Sequence, residues 1–195
     1  LMIECGVDEV GRGSCISGVW AAACILDPNK PIEGLRDSKK LSHKRREALS
    51  EEIKEKALCW CIAQATLEEI EQMNIHFATL LAMKRAVEGL VIVPQKVYVD
   101  GIHIPDIAIP AEAIVKGDDL IPSISAASIL AKVDRDRLMT GYHKEYPQYS
   151  FDKNKGYLTK DHMIALQKYG PCPIHRKTYE PIRKLLEVQM EICDL

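Results

Sequence analysis

Residues 3–13, IECGVDEVGRG, pass from a short apolar stretch into two adjacent carboxylates and then a Gly-Arg-Gly turn. IECGVD reads as a strand, with a loop expected from Glu9 to Gly18. Asp8 and Glu9 repel one another and gain nothing from burial unless something positive compensates. Gly11 and Gly13 around Arg12 mark a backbone that must approach a ligand closely. Side chains next to each other on a regular strand face opposite ways. For both acids to reach one site, the chain is expected to twist out of the sheet at this point.

The neighbouring sequence supplies the rest of the layer. VWAAACIL (19–26) is a continuous apolar run of strand length, as expected of a buried central strand. Turn chemistry follows at Asp27-Pro28 and Gly34. Ser42 is placed to cap a helix over 43–57, where Leu49, Ile53 and Ala57 recur at four-residue spacing. LCWCIAQA (58–65) alternates partly and reads as a strand. Thr66 and Glu69 have capping-box spacing, and a longer helix from Ile75 to Glu88 stops at Gly89. KVYVD (96–100) and AEAIVKGD (111–118) read as strands that end on carboxylates. SISAASILAKVDRDRLM (123–139) is helical, and further helices are expected over Thr159–Lys168 and Pro181–Met190. Strands alternating with helices, followed by a helical C-terminal third, predict an α/β layer fold with a helical appendage. The chain is treated as one domain over 1–195, with a soft boundary near 140 between the α/β core and the helical region from 141 to 195.

Acids therefore fall where three predicted strands run out: Asp8-Glu9, Asp100 and Asp118. Ligands of open α/β sheets bind at strand ends. Converging carboxylates are unstable together unless they share protons or bind cations. Oxygen ligands without His or Cys suit Mg²⁺ or Mn²⁺ rather than zinc. Four acids around two such ions, about 4 Å apart, make a phosphodiester-cleaving site.

Competing motifs fail. Gly13 to Gly18 has P-loop spacing, but Val19 and Trp20 stand where Lys and Ser/Thr belong. Ile16 occupies the third glycine position of a dinucleotide fingerprint. Ser125 and Ser128 lie in no nucleophile elbow, and Ser125 reads as a helix cap unless the helix start faces phosphate. His162 and His175 are either bases or surface residues.

The chain has 195 residues, a formal net charge of −2 and 47% apolar residues, the profile of a soluble globular protein. No apolar run reaches the length of a membrane span, and no secretion signal is expected at the start. Leu1 ahead of Met2 is an unusual beginning. The seven cysteines are irregularly spaced, and Cys59-x-Cys61 has no second pair to complete a zinc site. Reduced, mostly buried thiols in a cytoplasmic protein are expected. Basic residues cluster in RDSKKLSHKRR (36–46), DKNKGYLTKDH (152–162) and HRKTYEPIRK (175–184). Such clusters are solvated helix faces or a surface that tracks phosphates.

The segments GVDEVGRG, DSKKLS, YVDG, VKGD, SISAASILAKVDRD, NKGYLT..H and HRKTYEPIRK, in this order and across nearly the whole chain, resemble the bacterial type 2 ribonucleases H, ribonuclease HII. Gly-Arg-Gly is similar to ribonuclease HII rather than to its HIII relative, which usually has Gly-Lys-Gly. The resemblance implies a ribonuclease H-like fold, with a mixed central sheet flanked by helices and added C-terminal helices. It implies Asp8, Glu9, Asp100 and Asp118 as catalytic and metal-binding acids, with Asp118 preferred to Asp119 because it directly follows Lys-Gly. Gly11, Arg12 and Gly13 would read the ribose 2′-hydroxyl, and Tyr157 would pack on the sugar beyond the RNA-to-DNA junction. Lys39, Lys40, Ser125 and Lys132 match positions near substrate phosphates. The implied reaction is metal-dependent hydrolysis of RNA–DNA hybrids, and of duplex DNA on the 5′ side of embedded ribonucleotides, leaving 3′-OH and 5′-phosphate ends. Two Mg²⁺ or Mn²⁺ ions are expected, and no membrane, no obligate protein partner and a monomer.

Ser14-Cys15 departs from the usual Pro-containing sequence, Leu158 stands where Gly or Pro is usual, and Asp134 where Thr is common. None removes a ligand, although Leu158 could alter how Tyr157 is presented. Oxidation sensitivity through Cys15 is a minor reading, since buried thiols are usually inert. Alternatives are another metal nuclease of the same superfamily or a non-catalytic hybrid-binding protein. The complete acid set argues against the binder, which has no reason to turn anions towards phosphate.

Overall fold

The computed structural model describes residues 2–36 and 38–194. Leu1, and Asp37 of the DSKKLS segment, lie outside the described residues. Five strands form one sheet in the order β3-β2-β1-β4-β5. They are β1 (Glu4–Val10), β2 (Val19–Ile25), β3 (Cys59–Ala65), β4 (Lys96–Asp100) and β5 (Ala111–Ile114). β1–β2 and β2–β3 pair antiparallel, whereas β1–β4 and β4–β5 pair parallel, so the sheet is mixed.

Eight helices accompany the described strands: α1 (His43–Lys56), α2 (Leu67–Met73), α3 (Ile75–Glu88), α4 (Gly117–Leu120), α5 (Pro122–Glu145), α6 (Phe151–Asn154), α7 (Lys160–Tyr169) and α8 (Glu180–Cys193). The caps follow the sequence. Ser42 accepts the Arg45 N–H, Thr66 and Glu69 close a capping box, and Thr159 accepts the His162 N–H.

β2 is buried along its whole length because both of its faces are covered. Val19, Ala21, Ala23 and Ile25 pack with Ala78, Ala82, Met83 and Ala86 of α3. Ala22 and Cys24 pack with Leu49 and Ile53 of α1 and with Ala126, Ile129 and Leu130 of α5. The alanines keep both helical layers close to the sheet. A third cluster joins Cys15 and Ile16 to Met139, Tyr149, Phe151, Leu166 and Ile182, and ties the loop after β1 to the C-terminal helices.

Several expectations change. β1 does not leave the sheet at the acid pair: Glu9 pairs with Ala21 and Val10 with Trp20. The antiparallel ladder is made by the backbone, so it continues regardless of side-chain charge. The expected strand 111–118 ends at Ile114, because Lys116 is left-handed (φ 55°) and the chain turns into α4. Asp118 therefore sits in a helical turn rather than at a strand end. α5 runs unbroken through the boundary expected near 140 and reaches Glu145. Ser125 lies inside α5 and does not cap it.

Gly6 sets the distance between sheet and helix. A Cβ there would run into the backbone of Ser123 and Ile124 at the start of α5. Gly6→Ala should lower stability by roughly 1–3 kcal/mol through overpacking. Urea unfolding would register this as a lower midpoint with an unchanged slope.

Candidate active site

The parallel register of β1 and β4 ends at Val7 opposite Val99, so Asp8 and Asp100 emerge side by side. The Asp118 N–H donates to Asp100 Oδ1 at 3.2 Å, which brings the α4 turn against the same edge. Ser125 helps hold that turn: its hydroxyl donates to the Asp118 carbonyl, and to that of Ile121. Asp8 and Asp118 are buried, at 6% and 3% exposure. The Glu9 N–H donates to Asp8 Oδ1 at 2.8 Å.

Electrostatics show what the cluster lacks. Burial, then the charges of Asp100 and Glu9, hold the Asp8 carboxyl well above the usual range. Burial also raises Glu9, opposed by the Arg12 charge and the Arg12 N–H. Asp100 is raised by burial and by the Asp118 charge, against the Asp118 N–H and Lys39. Lys39 places its ammonium 3.0 Å from Asp118 Oδ2, while the buried Asp118 Oδ1 has no hydrogen-bond partner. A lysine as counter-ion, an orphan carboxylate oxygen and three acids whose pKa values are raised by burial and by one another fit a hard divalent cation. Among the described residues, the acids do not form a trio with all ligand atoms within 4.8 Å; Cys15, His162 and His175 do. Water and phosphate oxygens would complete such a cation's coordination, as Mg²⁺ commonly requires.

The loop after β1 is built around a buried arginine. Arg176, fully buried, uses all its N–H groups. Nε donates to the Ser17 carbonyl, Nη1 to the Arg12 carbonyl and the Tyr179 hydroxyl, and Nη2 to the Gly11 and Gly18 carbonyls, at 2.8–2.9 Å. Tyr179 donates in turn to the Arg12 carbonyl at 2.7 Å. The Gly11 carbonyl also accepts the Ser14 N–H. Both lone pairs of each of the Gly11 and Arg12 carbonyls are therefore engaged, so neither carbonyl is left to accept from a ligand.

Gly11 has φ 87°, and a Cβ on it would lie 2.6 Å from Arg135 Nε. Arg135 is buried, its Nε and Nη2 lack partners, and its guanidinium lies 5.3 Å from the Tyr157 ring centroid. A Cβ on Gly13 would meet the same ring at 3.5 Å. Tyr157 thus stands beside the Gly-Arg-Gly loop, while Arg12 is exposed on it.

The expected phosphate contacts divide. Lys39 and Lys132 line one cleft of about 130 Å³ with Ser38, Arg46, Ser128 and Ile129, and Lys40 is exposed on the same turn as Lys39. Ser125 is 1% exposed, and its hydroxyl donates to the Asp118 carbonyl, so it supports an acid from the wall of the neighbouring pocket. Asp119 lines the neighbouring pocket and stands apart from the hydrogen bond that ties Asp118 to Asp100. His162 and His175 are neither surface residues nor near the acids; both are fully buried in the third cluster. Arg135, Arg176 and Tyr179 carried no role in the sequence. Their signal lay in VDRD and HRKTYEP, where nothing distinguishes a buried arginine from a surface one.

The structure superposes on the crystal structure of ribonuclease H2 from Pyrococcus horikoshii OT3 with a TM-score of 0.81 and 28% identity, covering 97% of this chain and 100% of that one. It also matches ribonuclease HII in the PCNA:RNase HII complex from Archaeoglobus fulgidus at a TM-score of 0.74 and 23% identity, over 92% and 96% of the two chains. A mixed sheet of this order, flanked by helices and carrying Asp8 and Asp100 on the neighbouring strands β1 and β4, is the ribonuclease H-like α/β fold. The family model described as Ribonuclease HII matches residues 5–182. Ribonuclease HII from Desulforamulus reducens is 73% identical over 186 residues, 95% of this chain and 94% of the relative. The chain belongs to the ribonuclease HII family.

Arg176→Ala should cost about 3 kcal/mol or more, since several buried carbonyls lose their donor at once. Lysine cannot span them, so Arg176→Lys should recover little of the urea midpoint. Asp8→Asn should act in the opposite direction. The raised Asp8 pKa means that the folded state holds its proton longer than the unfolded chain. Its contribution is present below the ordinary value of 3.8 and is lost as pH climbs above it. In chelator at neutral pH, Asp8→Asn should melt at a higher temperature than the unaltered protein, and the difference should shrink towards pH 4.

Proposed function

We propose that the protein is an endoribonuclease that cuts the RNA strand of RNA–DNA hybrids, and duplex DNA on the 5′ side of embedded ribonucleotides, with two divalent ions at Asp8, Glu9, Asp100 and Asp118. The observation that carries the reading is the meeting of Asp8, Asp100 and Asp118 where the β1–β4 register ends and α4 begins, next to a loop whose carbonyls Arg176 gathers. Mg²⁺ or Mn²⁺ bound there would neutralise the acids, activate the attacking water and stabilise the leaving oxygen.

The chain's own groups supply position and selectivity. Asp8, Asp100 and Asp118 fix where charge gathers, and Ser125 fixes Asp118. Lys39, Lys40 and Lys132 present cations to the substrate phosphates, Lys39 from beside Asp118. With the Gly11 and Arg12 carbonyls engaged, the loop meets the 2′-hydroxyl through main-chain N–H donors and Arg12, and this group separates RNA from DNA. Tyr157 packs on the neighbouring sugar. Water attacks phosphorus in line, the P–O3′ bond breaks, and the 3′ oxygen takes a proton, leaving 3′-OH and 5′-phosphate ends. All seven cysteines are free, which suits work in a reducing cytoplasm.

The test is a DNA duplex with one ribonucleotide, incubated with Mg²⁺ beside an all-DNA control and mapped at nucleotide resolution. One cut on the 5′ side of the ribonucleotide, with the control intact, is expected. Asp118→Asn should slow it more than about 100-fold while leaving hybrid binding measurable. Cutting of both duplexes would keep the metal site and discard the loop's role. No cutting with Mg²⁺ or Mn²⁺ would favour the non-catalytic binder.

A further inference from the structure

Behind the Gly-Arg-Gly loop, His162 on α7 and His175 after it are packed among Tyr149, Phe151 and Cys15 with no solvent exposure. Their hydrogen bonds leave one arrangement of protons. The Cys172 N–H donates to His175 Nδ1 at 2.9 Å, so a neutral His175 carries its proton on Nε2. That nitrogen is 2.9 Å from His162 Nε2, which must accept. The His162 proton is then on Nδ1, which donates to the Tyr157 carbonyl at 2.9 Å.

The two imidazoles form a directed chain from the Cys172 N–H to the Tyr157 carbonyl. The Thr159 N–H occupies that carbonyl's other lone pair. Gly156 is held from the same side, its carbonyl accepting the Cys15 N–H at 3.0 Å and the Cys15 thiol at 3.2 Å.

A metal site is the competing reading, since Cys15, His162 and His175 form a trio with ligand atoms within 4.8 Å. The proton order rules against it. A cation on His175 Nε2 would require a proton on Nδ1, directly opposite the Cys172 N–H. The titratable groups facing the pair are the Cys15 and Cys172 thiols and the Tyr149 phenol, all raised chiefly by burial, Cys15 to about 11. They remain neutral, and burial likewise pushes His175 down to about 4 and lowers His162.

We propose that His162 and His175 are positioning residues that hold the Tyr157 backbone, and with it the ring beside Gly13, in the place from which the ribose junction is recognised. This rests on the reading of Tyr157 and the loop given under Proposed function. The holds are on the Tyr157 backbone, at its carbonyl and at its N–H, which donates to the Asn154 carbonyl at 3.0 Å, so the ring stays 40% exposed and free to meet a sugar. The grip also answers the Leu158 departure, because the hold on Tyr157 comes from α7 and not from the residue after it.

Two substitutions of one residue separate positioning from mere packing. His162→Asn keeps a donor where Nδ1 stood and loses the contact to His175. His162→Gln keeps an acceptor towards His175 and loses the donor to Tyr157. With the single-ribonucleotide duplex, His162→Gln should raise KM about tenfold, the scale of one lost hydrogen bond, with kcat little changed. His162→Asn should stay within about threefold. Adding His162→Gln to Tyr157→Ala should have no further effect on KM, because the positioned ring is already gone. Equal effects of Asn and Gln, or an undiminished Gln effect without the ring, would overturn the proposal.

Amide exchange over 156–159 gives a readout that needs no cleavage. Faster exchange in His162→Gln than in His162→Asn supports the hold on Tyr157 even if the unaltered protein fails to cut, in which case the functional reading falls alone. Imidazole ¹⁵N spectra of the unaltered protein should show His162 protonated on Nδ1 and His175 on Nε2. The opposite tautomers would overturn the chain without any variant having to fold.

Discussion

One buried guanidinium organises the Gly-Arg-Gly half of the candidate site. Arg176 lies under the loop after β1 and holds the carbonyls of Gly11, Arg12, Ser17 and Gly18 together, across more than 150 residues of chain. Among the described residues no carboxylate pairs with it; carbonyl and hydroxyl dipoles and the face of the Tyr179 ring, 5.1 Å away, meet its charge. Its satisfied N–H groups offset the penalty that burial alone would impose. The constraint works both ways. The loop takes its shape from the segment around Arg176, and that segment is docked by the same carbonyls, by backbone hydrogen bonds of Cys15 and Ser17, and by the apolar cluster around Ile16. The C-terminal helices are therefore part of the site's frame.

The acid half depends on α5. Gly6 lets the start of α5 rest on β1, Ser125 on that helix fixes Asp118, and Arg135 further along it lies beneath Gly11 and Tyr157. One helix thus connects the acids, the loop and the aromatic ring, which is why it continues past the end of the core into the C-terminal region. The raised carboxyls at one end and the unpartnered guanidinium nitrogens at the other both forgo stability. Sites that must bind ions and phosphates commonly sacrifice stability in this way.

Much of the fold was legible locally. Period-two alternation and apolar runs located the strands. Ser42, Thr66 and Thr159 marked helix starts because a cap is a contact between residues three apart. Asp8, Asp100 and Asp118 were legible as acids following apolar stretches. The failures share a cause. Whether Glu9 stays in the sheet is decided by β2, and whether Asp118 ends a strand is decided by the left-handed turn at Lys116. Neither partner can be read from the residue itself.

The amino-acid sequence by itself determined the layered α/β class and singled out the candidate acids and the glycine-flanked loop, because these follow from spacing, charge and backbone freedom within a few residues. Only the tertiary structure decided that Ser125 supports Asp118, that Arg176 shapes the loop, and that His162 and His175 stand behind Tyr157 and away from the acids. Those roles depend on which groups share a buried volume. In a low-dielectric interior the same arginine or histidine becomes a clamp or a directed hydrogen-bond link, according to the donors and acceptors that folding brings beside it.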